Sequence, residues 1–150
     1  MTRAFLGLGA NLGDRRATLR RAVGAMAEVV AVSPIYETEP VGGPEQGPFL
    51  NIVVELDTRR SARELLGLCH ELEREAGRVR DERWGPRTLD VDVLWIDGVE
   101  VADDDLVVPH PRMAERNFVM RPLLDLDDTL VVDGWDPDTA LGRVQPLGPL

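Results

Sequence analysis

Two aspartates one residue apart, Asp90 and Asp92, stand inside an apolar, β-branched run, Thr88-Leu89-Asp90-Val91-Asp92-Val93-Leu94-Trp95-Ile96. In a strand, residues i and i+2 share a face, here about 6.6 Å apart. Two bare carboxylates at that distance repel each other, and a hard divalent cation removes the conflict. The spacing suits one Mg2+, or a pair of ions about 3.5–4 Å apart. A solvated acidic strand face carries the same pattern, so the pair alone leaves both readings open. The segment just upstream adds Arg78, Arg80, Arg83 and Arg87, with Gly85-Pro86 between. Such arginines can be ordinary surface ion pairs, which contribute little. They are also what phosphoryl transfer requires beside a metal site, because a planar, permanently charged guanidinium grips phosphate oxygens two at a time.

Three other groups invite a chemical reading. Gly7-Leu8-Gly9-Ala10-Asn11-Leu12-Gly13 resembles a dinucleotide-binding turn, but its third glycine falls one place late, and no Lys-Ser or Lys-Thr follows to make a phosphate-binding P-loop. A tight strand-to-helix turn explains it as well. His110, between Pro109 and Pro111, sits in a rigid turn where it caps the chain or donates to a phosphate, with Arg116 close behind. Phe49 and Phe118 flank polar segments; they serve as core packing or as the two faces of a sandwich around a flat heterocycle.

Composition narrows the partners. The seventeen basic residues, all arginine, are outnumbered by twenty-seven acids, for a net charge of −10. That balance disfavours nucleic acid and anionic membranes, and a local arginine cluster on such a chain points to a small polyanion. No apolar stretch approaches the ~20 residues of a membrane span, and the N-terminal residues do not read as a signal peptide. The single Cys69 cannot form an internal disulfide, which suggests a reducing, cytoplasmic setting; in its apolar helical pattern it reads as core filler.

These side chains need elements to hold them. Residues 4–8 read as a strand, followed by a turn and a helix that Asp14 caps. Residues 29–37 read as a second strand that Pro34 interrupts, and residues 39–48, rich in proline and glycine, as a loop. Leu50, Ile52, Val54 and Leu56 alternate as a half-buried strand, placing Asn51 on the face away from the core. Ser61-Ala62-Arg63-Glu64 is a capping box that opens a helix with the stripe Leu65, Leu68, Cys69, Leu72 and Ala76, ended by Gly77. A charged loop spans 78–87. The strand that follows puts Leu89, Val91, Val93 and Trp95 on one face and the aspartates on the other. Beyond it are a hairpin around Asp97-Gly98, a Pro-His-Pro turn, a short helix near 111–117 and an irregular tail over 125–150. This order predicts one α+β domain over 1–150, an antiparallel sheet with helices on one face and Asn51, Asp90 and Asp92 on the free one.

The segments Gly7–Gly13, Ser33-Pro34-Ile35-Tyr36-Glu37-Thr38-Glu39-Pro40-Val41-Gly42, Phe49-Leu50-Asn51, Gly77-Arg78-Val79-Arg80, Arg83–Asp92, Pro109-His110-Pro111 and Arg116-Asn117-Phe118 together resemble the 6-hydroxymethyl-7,8-dihydropterin pyrophosphokinase family of folate biosynthesis. The resemblance runs in order from residue 5 to about 124. It implies a ferredoxin-like fold, two Mg2+ held by Asp90 and Asp92, and ATP and a hydroxymethyl dihydropterin as substrates. It places Arg78, Arg80, Arg87, His110 and Arg116 on the nucleotide phosphates, with Trp84, His70 and Glu73 nearby, and Arg78, Arg87, Asp90 and Asp92 at the chemistry. It places the pterin between Phe49 and Phe118, with Thr38, Val41, Asn51 and Asp90 around it and Trp84 on a closing loop. In this reading the pterin's hydroxyl attacks the β-phosphorus of ATP and AMP leaves; no general base stands out. The chain is expected to act as a monomer. A nucleotidyl transferase, which would release pyrophosphate, and a non-catalytic nucleotide-binding module are the competing readings.

Overall fold

The computed structural model describes residues 1–38, 48–80 and 89–150, the last three residues of the middle segment by their backbone only. The elements run β1 (Thr2–Ala10), α1 (Arg15–Gly24), β2 (Val29–Val32), β3 (Ile35–Thr38), β4 (Phe49–Thr58), α2 (Ala62–Arg80), β5 (Leu89–Ile96), β6 (Val101–Ala102), β7 (Val107–Val108), a 3-10 turn (Met113–Glu115), α3 (Asn117–Leu126) and β8 (Val144–Gly148). The main sheet has the order β5-β1-β4-β3-β8, with β2 also on β4, and its pairings are antiparallel. Taking β2 and β3 as one broken strand gives β-α-β-β-α-β with the first strand central, the ferredoxin-like arrangement.

The break falls at Pro34, which has no N–H for the ladder. Ser33 bridges it. Its N–H reaches Val53 O at 2.9 Å, and its hydroxyl accepts the Val53 N–H, also at 2.9 Å. Both helix starts are built as their sequences predict. Asp14 accepts from Ala17 N at 3.0 Å. Ser61 and Glu64 exchange bonds reciprocally, Glu64 N to Ser61 Oγ at 3.1 Å and Ser61 N to Glu64 Oε1 at 2.9 Å.

The helices α1 and α2 cover one face of the sheet, over a core that includes Leu6, Leu8, Leu19, Ile52, Leu56, Leu65, Cys69 and Val91. Each such large side chain contributes roughly 1.5–3 kcal/mol by leaving water. The opposite face is only partly free. Phe5, Val53 and Leu94 project there and pack under Met113, Val119, Met120 and Leu123 of the 3-10 turn and α3. Thus β4 is buried on both sides instead of half-buried.

Five local expectations need correction. A bulge interrupts the alternation of β5: Phe5 pairs with Trp95, but Leu6 pairs with Val93. Trp95 therefore packs with Leu94 on the α3 side, and Ile96 takes its place in the other core. Gly77 does not end α2, which continues to Arg80; the glycine lacks the positive φ of a C-terminal cap. Residues 97–98 form a turn around Gly98 (φ 70°), but the hairpin pairs β6 with β7 further on. Where a short helix is expected near 111–117 there are a 3-10 turn, Met113–Glu115, and a separate α3 that runs through Pro122 to Leu126, and the tail is not wholly irregular, since Val144–Gly148 adds β8 to the edge at β3. Proline-bearing, glycine-flanked segments carry weak local signals, and here packing on β3 decides.

Candidate active site

Three strands present matched runs on the face that α3 half covers: Phe5, Gly7 and Gly9 of β1, Phe49, Asn51 and Val53 of β4, and Asp90, Asp92 and Leu94 of β5. Their register forms two rows across the sheet, Asn51–Gly9–Asp90 and Val53–Gly7–Asp92. Neighbouring strands lie about 4.8 Å apart, so Asn51 and Asp90 stand about 9–10 Å apart across a glycine floor. At Gly9 the floor has no room for a side chain, and at Gly7 it has little. A Cβ on Gly9 would lie 2.8 Å from Asn51 Oδ1, and one on Gly7 would lie 3.3 Å from Leu94 Cδ1. These glycines belong to a strand; the turn that follows uses Gly13, at φ 66°.

Above the floor is a cleft of about 580 Å³ lined by Thr38, Phe49, Asn51, Glu73, Asp90, Asp92, Arg112, Glu115, Arg116, Phe118 and Leu141, among others. Asp90 and Asp92 are both exposed to it. On the β4 side, Asn51 Nδ2 donates to Thr38 Oγ1 at 2.7 Å. Both residues are buried, so the bond fixes which way the amide faces. On the β5 side, Glu73 reaches from α2 to accept the Val91 N–H at 3.0 Å. Phe49 and Phe118 enter from different elements, and the Arg116 guanidinium lies 5.6 Å from the centre of the Phe118 ring.

His110 lies beside this cleft. Its N–H bonds Leu94 O at 2.9 Å, and its Nδ1 accepts the Arg112 N–H at 3.1 Å. A backbone N–H can only donate, so the neutral ring carries its proton on Nε2. Burial holds the imidazole below its ordinary pKa; Asp92 opposes this, and Arg116 and Arg112 add to it. A neutral imidazole donating through Nε2 results.

Residues 5–128 match the 7,8-dihydro-6-hydroxymethylpterin-pyrophosphokinase family. The chain belongs to this family. It is similar to proteins named 2-amino-4-hydroxy-6-hydroxymethyldihydropteridine pyrophosphokinase from several bacteria. The protein of Methylorubrum extorquens is 44% identical over 99% of this chain and 97% of its own. That of Bacillus subtilis is 47% identical over 82% and 77%, and that of Mycobacterium leprae 47% over 97% and 85%.

For a member of the pyrophosphokinase family, the acidic pair has a donor set fit for magnesium. Two hard carboxylates share one open face, and no cluster of three or more His, Cys, Asp or Glu side chains joins them among the described residues. Mg2+ keeps several waters and takes substrate phosphate oxygens, so two protein carboxylates match its habit better than a closed cage would.

The structure brings Thr38, Phe49, Asn51, Glu73, Asp90, Asp92, Arg116 and Phe118 to one cleft. It does not bring His70 there: that side chain is exposed on α2 and interacts with Asp105. Val41, Trp84 and Arg87 lie outside the described residues, as do the side chains of Arg78 and Arg80. Sequence reasoning reads Gly7 and Gly9 as part of a turn, although glycines at i and i+2 within a strand signal close backbone approach. It also missed Arg112 and Glu115, which the Pro-His-Pro turn hands to the cleft, and Leu141, held there by Asn117 Nδ2 bonds to Ala140 O (3.2 Å) and Gly142 O (3.0 Å). That tail contact is non-local and leaves no mark in the local pattern. Cys69 is fully buried, its thiol pushed up to about 12 chiefly by burial, as befits core packing.

Proposed function

We propose that this chain transfers the pyrophosphoryl group of MgATP to 6-hydroxymethyl-7,8-dihydropterin, releasing AMP, as the folate-pathway enzyme its family membership indicates. The observation that carries the reading is the row Asn51–Gly9–Asp90: a hydrogen-bonding amide and a carboxylate face each other across bare backbone, between two phenylalanines, beside a second carboxylate. A flat bicyclic pterin spans that distance. Phe49 and Phe118 stack on its faces, and Asn51 and Thr38 read its polar edge with Val41. Asp90 and Asp92 would hold two Mg2+, which would neutralise triphosphate charge and make the pterin hydroxyl more acidic. His110 Nε2–H and Arg116 donate to phosphate oxygens, and Arg78, Arg80 and Arg87 supply the remaining positive charge, Arg78 and Arg87 at the transferred group. Trp84 is assigned to the pterin by the family resemblance. Glu73 positions β5 through the Val91 N–H and borders the nucleotide. Pre-aimed donors of this kind act where charge develops.

No described helix is long and apolar enough to cross a membrane. The lone buried Cys69 fits a reducing, cytoplasmic setting, and we take the chain to act as a single-domain monomer. Incubation with ATP, Mg2+ and the reduced hydroxymethyl pterin should yield AMP and the pterin pyrophosphate in equal amounts. ADP or free pyrophosphate as the nucleotide-derived product would overturn the assignment.

A further inference from the structure

Of the described residues lining the cleft, two are cationic, Arg112 and Arg116. Arg116 lies over Phe118. Arg112 makes no side-chain hydrogen bond or ion pair among the described residues, although Glu115 stands three residues on and lines the same cleft. Elsewhere arginines of this acidic chain find partners: Arg3 pairs with Asp97 and Asp127, Arg60 with Glu28, and Arg63 with Asp103 and Asp105.

The backbone under Arg112 is firmly held. Its N–H is fixed on His110 Nδ1 at 3.1 Å, its carbonyl accepts the Glu115 N–H at 3.1 Å, and Met113 next to it is 1% exposed. The turn that aims His110 therefore also aims Arg112, with the guanidinium uncommitted. The described lining otherwise carries four carboxylates: Glu73, Asp90, Asp92 and Glu115. A triphosphate entering beside them needs cations on the protein as well as metal, and a guanidinium is the group suited to bidentate phosphate contact.

We infer that Arg112 is a further phosphate-binding residue of the nucleotide site, taking an oxygen of the magnesium-bound polyphosphate on the His110 side of Asp92. This rests on the proposed function for its substrate, though not for its ligand chemistry. Its exposure means that its replacement leaves the fold intact. Arg112→Gln should raise the KM for MgATP about 10-fold or more, the scale of one charge-assisted hydrogen bond, while the pterin KM and the thermal midpoint stay as in the wild type. Arg112→Lys, which keeps the charge but not the fork, should fall between. Calorimetry with Mg2+ and inorganic tripolyphosphate supplies a readout independent of turnover: Arg112→Gln should bind it about 10-fold more weakly than the wild type. Unchanged MgATP KM and unchanged tripolyphosphate affinity in Arg112→Gln would overturn the inference. A wild type that binds tripolyphosphate but forms no AMP would instead sink the proposed function, and the binding comparison would still decide the role of Arg112.

Discussion

Replacing Gly9 with alanine adds one methyl group to the floor of the cleft and should cost the enzyme its pterin. The new Cβ would lie 2.8 Å from Asn51 Oδ1, 3.7 Å from Phe49 Cδ1 and 3.9 Å from Asn51 Cγ. To reach an ordinary contact of 3.4 Å, the amide oxygen must retreat by about 0.6 Å. The amide is not free to do so, because its Nδ2 is bonded to Thr38 Oγ1 at 2.7 Å and both residues are buried. Thr38 lies on β3, across β4 from Gly9, so the retreat presses the amide against a bond already at 2.7 Å, and the amide must turn away and break it. Leaving buried partners unsatisfied costs about 1–3 kcal/mol, a factor of roughly 5–150 in an equilibrium constant. Gly9→Ala should therefore weaken pterin binding by about 5–150-fold, measured by fluorescence titration and as KM in a coupled assay, and should lower the thermal midpoint by several degrees. MgATP binding should change little, since the nearest atoms all belong to Asn51 and Phe49. A variant with wild-type pterin affinity would refute the placement of the pterin over Gly9.

Chelation by EDTA should abolish turnover and added Mg2+ should restore it, with no change in the thermal midpoint, because Asp90 and Asp92 are exposed carboxylates and not part of the core. Alkaline stability offers a separate check. Tyr36 is pushed up to about 12, first by burial and then by its hydrogen bond to Asp125, and Cys69 is also pushed up to about 12. Unfolded, they titrate near pH 10 and 8.5–9, so the folded state holds both protons more tightly. Their contribution is whole below about pH 8.5 and is lost as the pH climbs towards 12. With one tyrosine, one cysteine and no lysine in the chain, the loss should be readable in thermal melts and should flatten in a Tyr36→Phe, Cys69→Ala double variant. An equally steep decline in that variant would assign it elsewhere.

Much of this was legible in the residues because local chemistry and tertiary structure agree. Asp14 and the Ser61–Glu64 box cap the helices they announce, and the alternation around Asn51 and Asp90-Val91-Asp92 puts all three on one side of the sheet. What escaped depends on contacts between distant segments. The bulge at Leu94 turns Trp95 over, and no strand pattern signals a bulge before its partner is known. Asn117 fastens the tail to the cleft through carbonyls more than twenty residues away. Arg112 fell within the short helix expected near 111–117, and only the fold brings it to the cleft that Asp92 lines. Gly7 and Gly9 read as a turn because a strand's need for close approach cannot be seen until Asn51 and Leu94 are laid across it.

ATP labelled at its β-phosphorus tests the central claim most directly. With the wild type, Mg2+ and the hydroxymethyl pterin, the label should pass to the pterin and AMP should emerge unlabelled. In Asp92→Asn, which should remain folded, the transfer should slow by at least about 10²-fold. Label retained in ADP, or transfer by Asp92→Asn at the wild-type rate, would contradict the account.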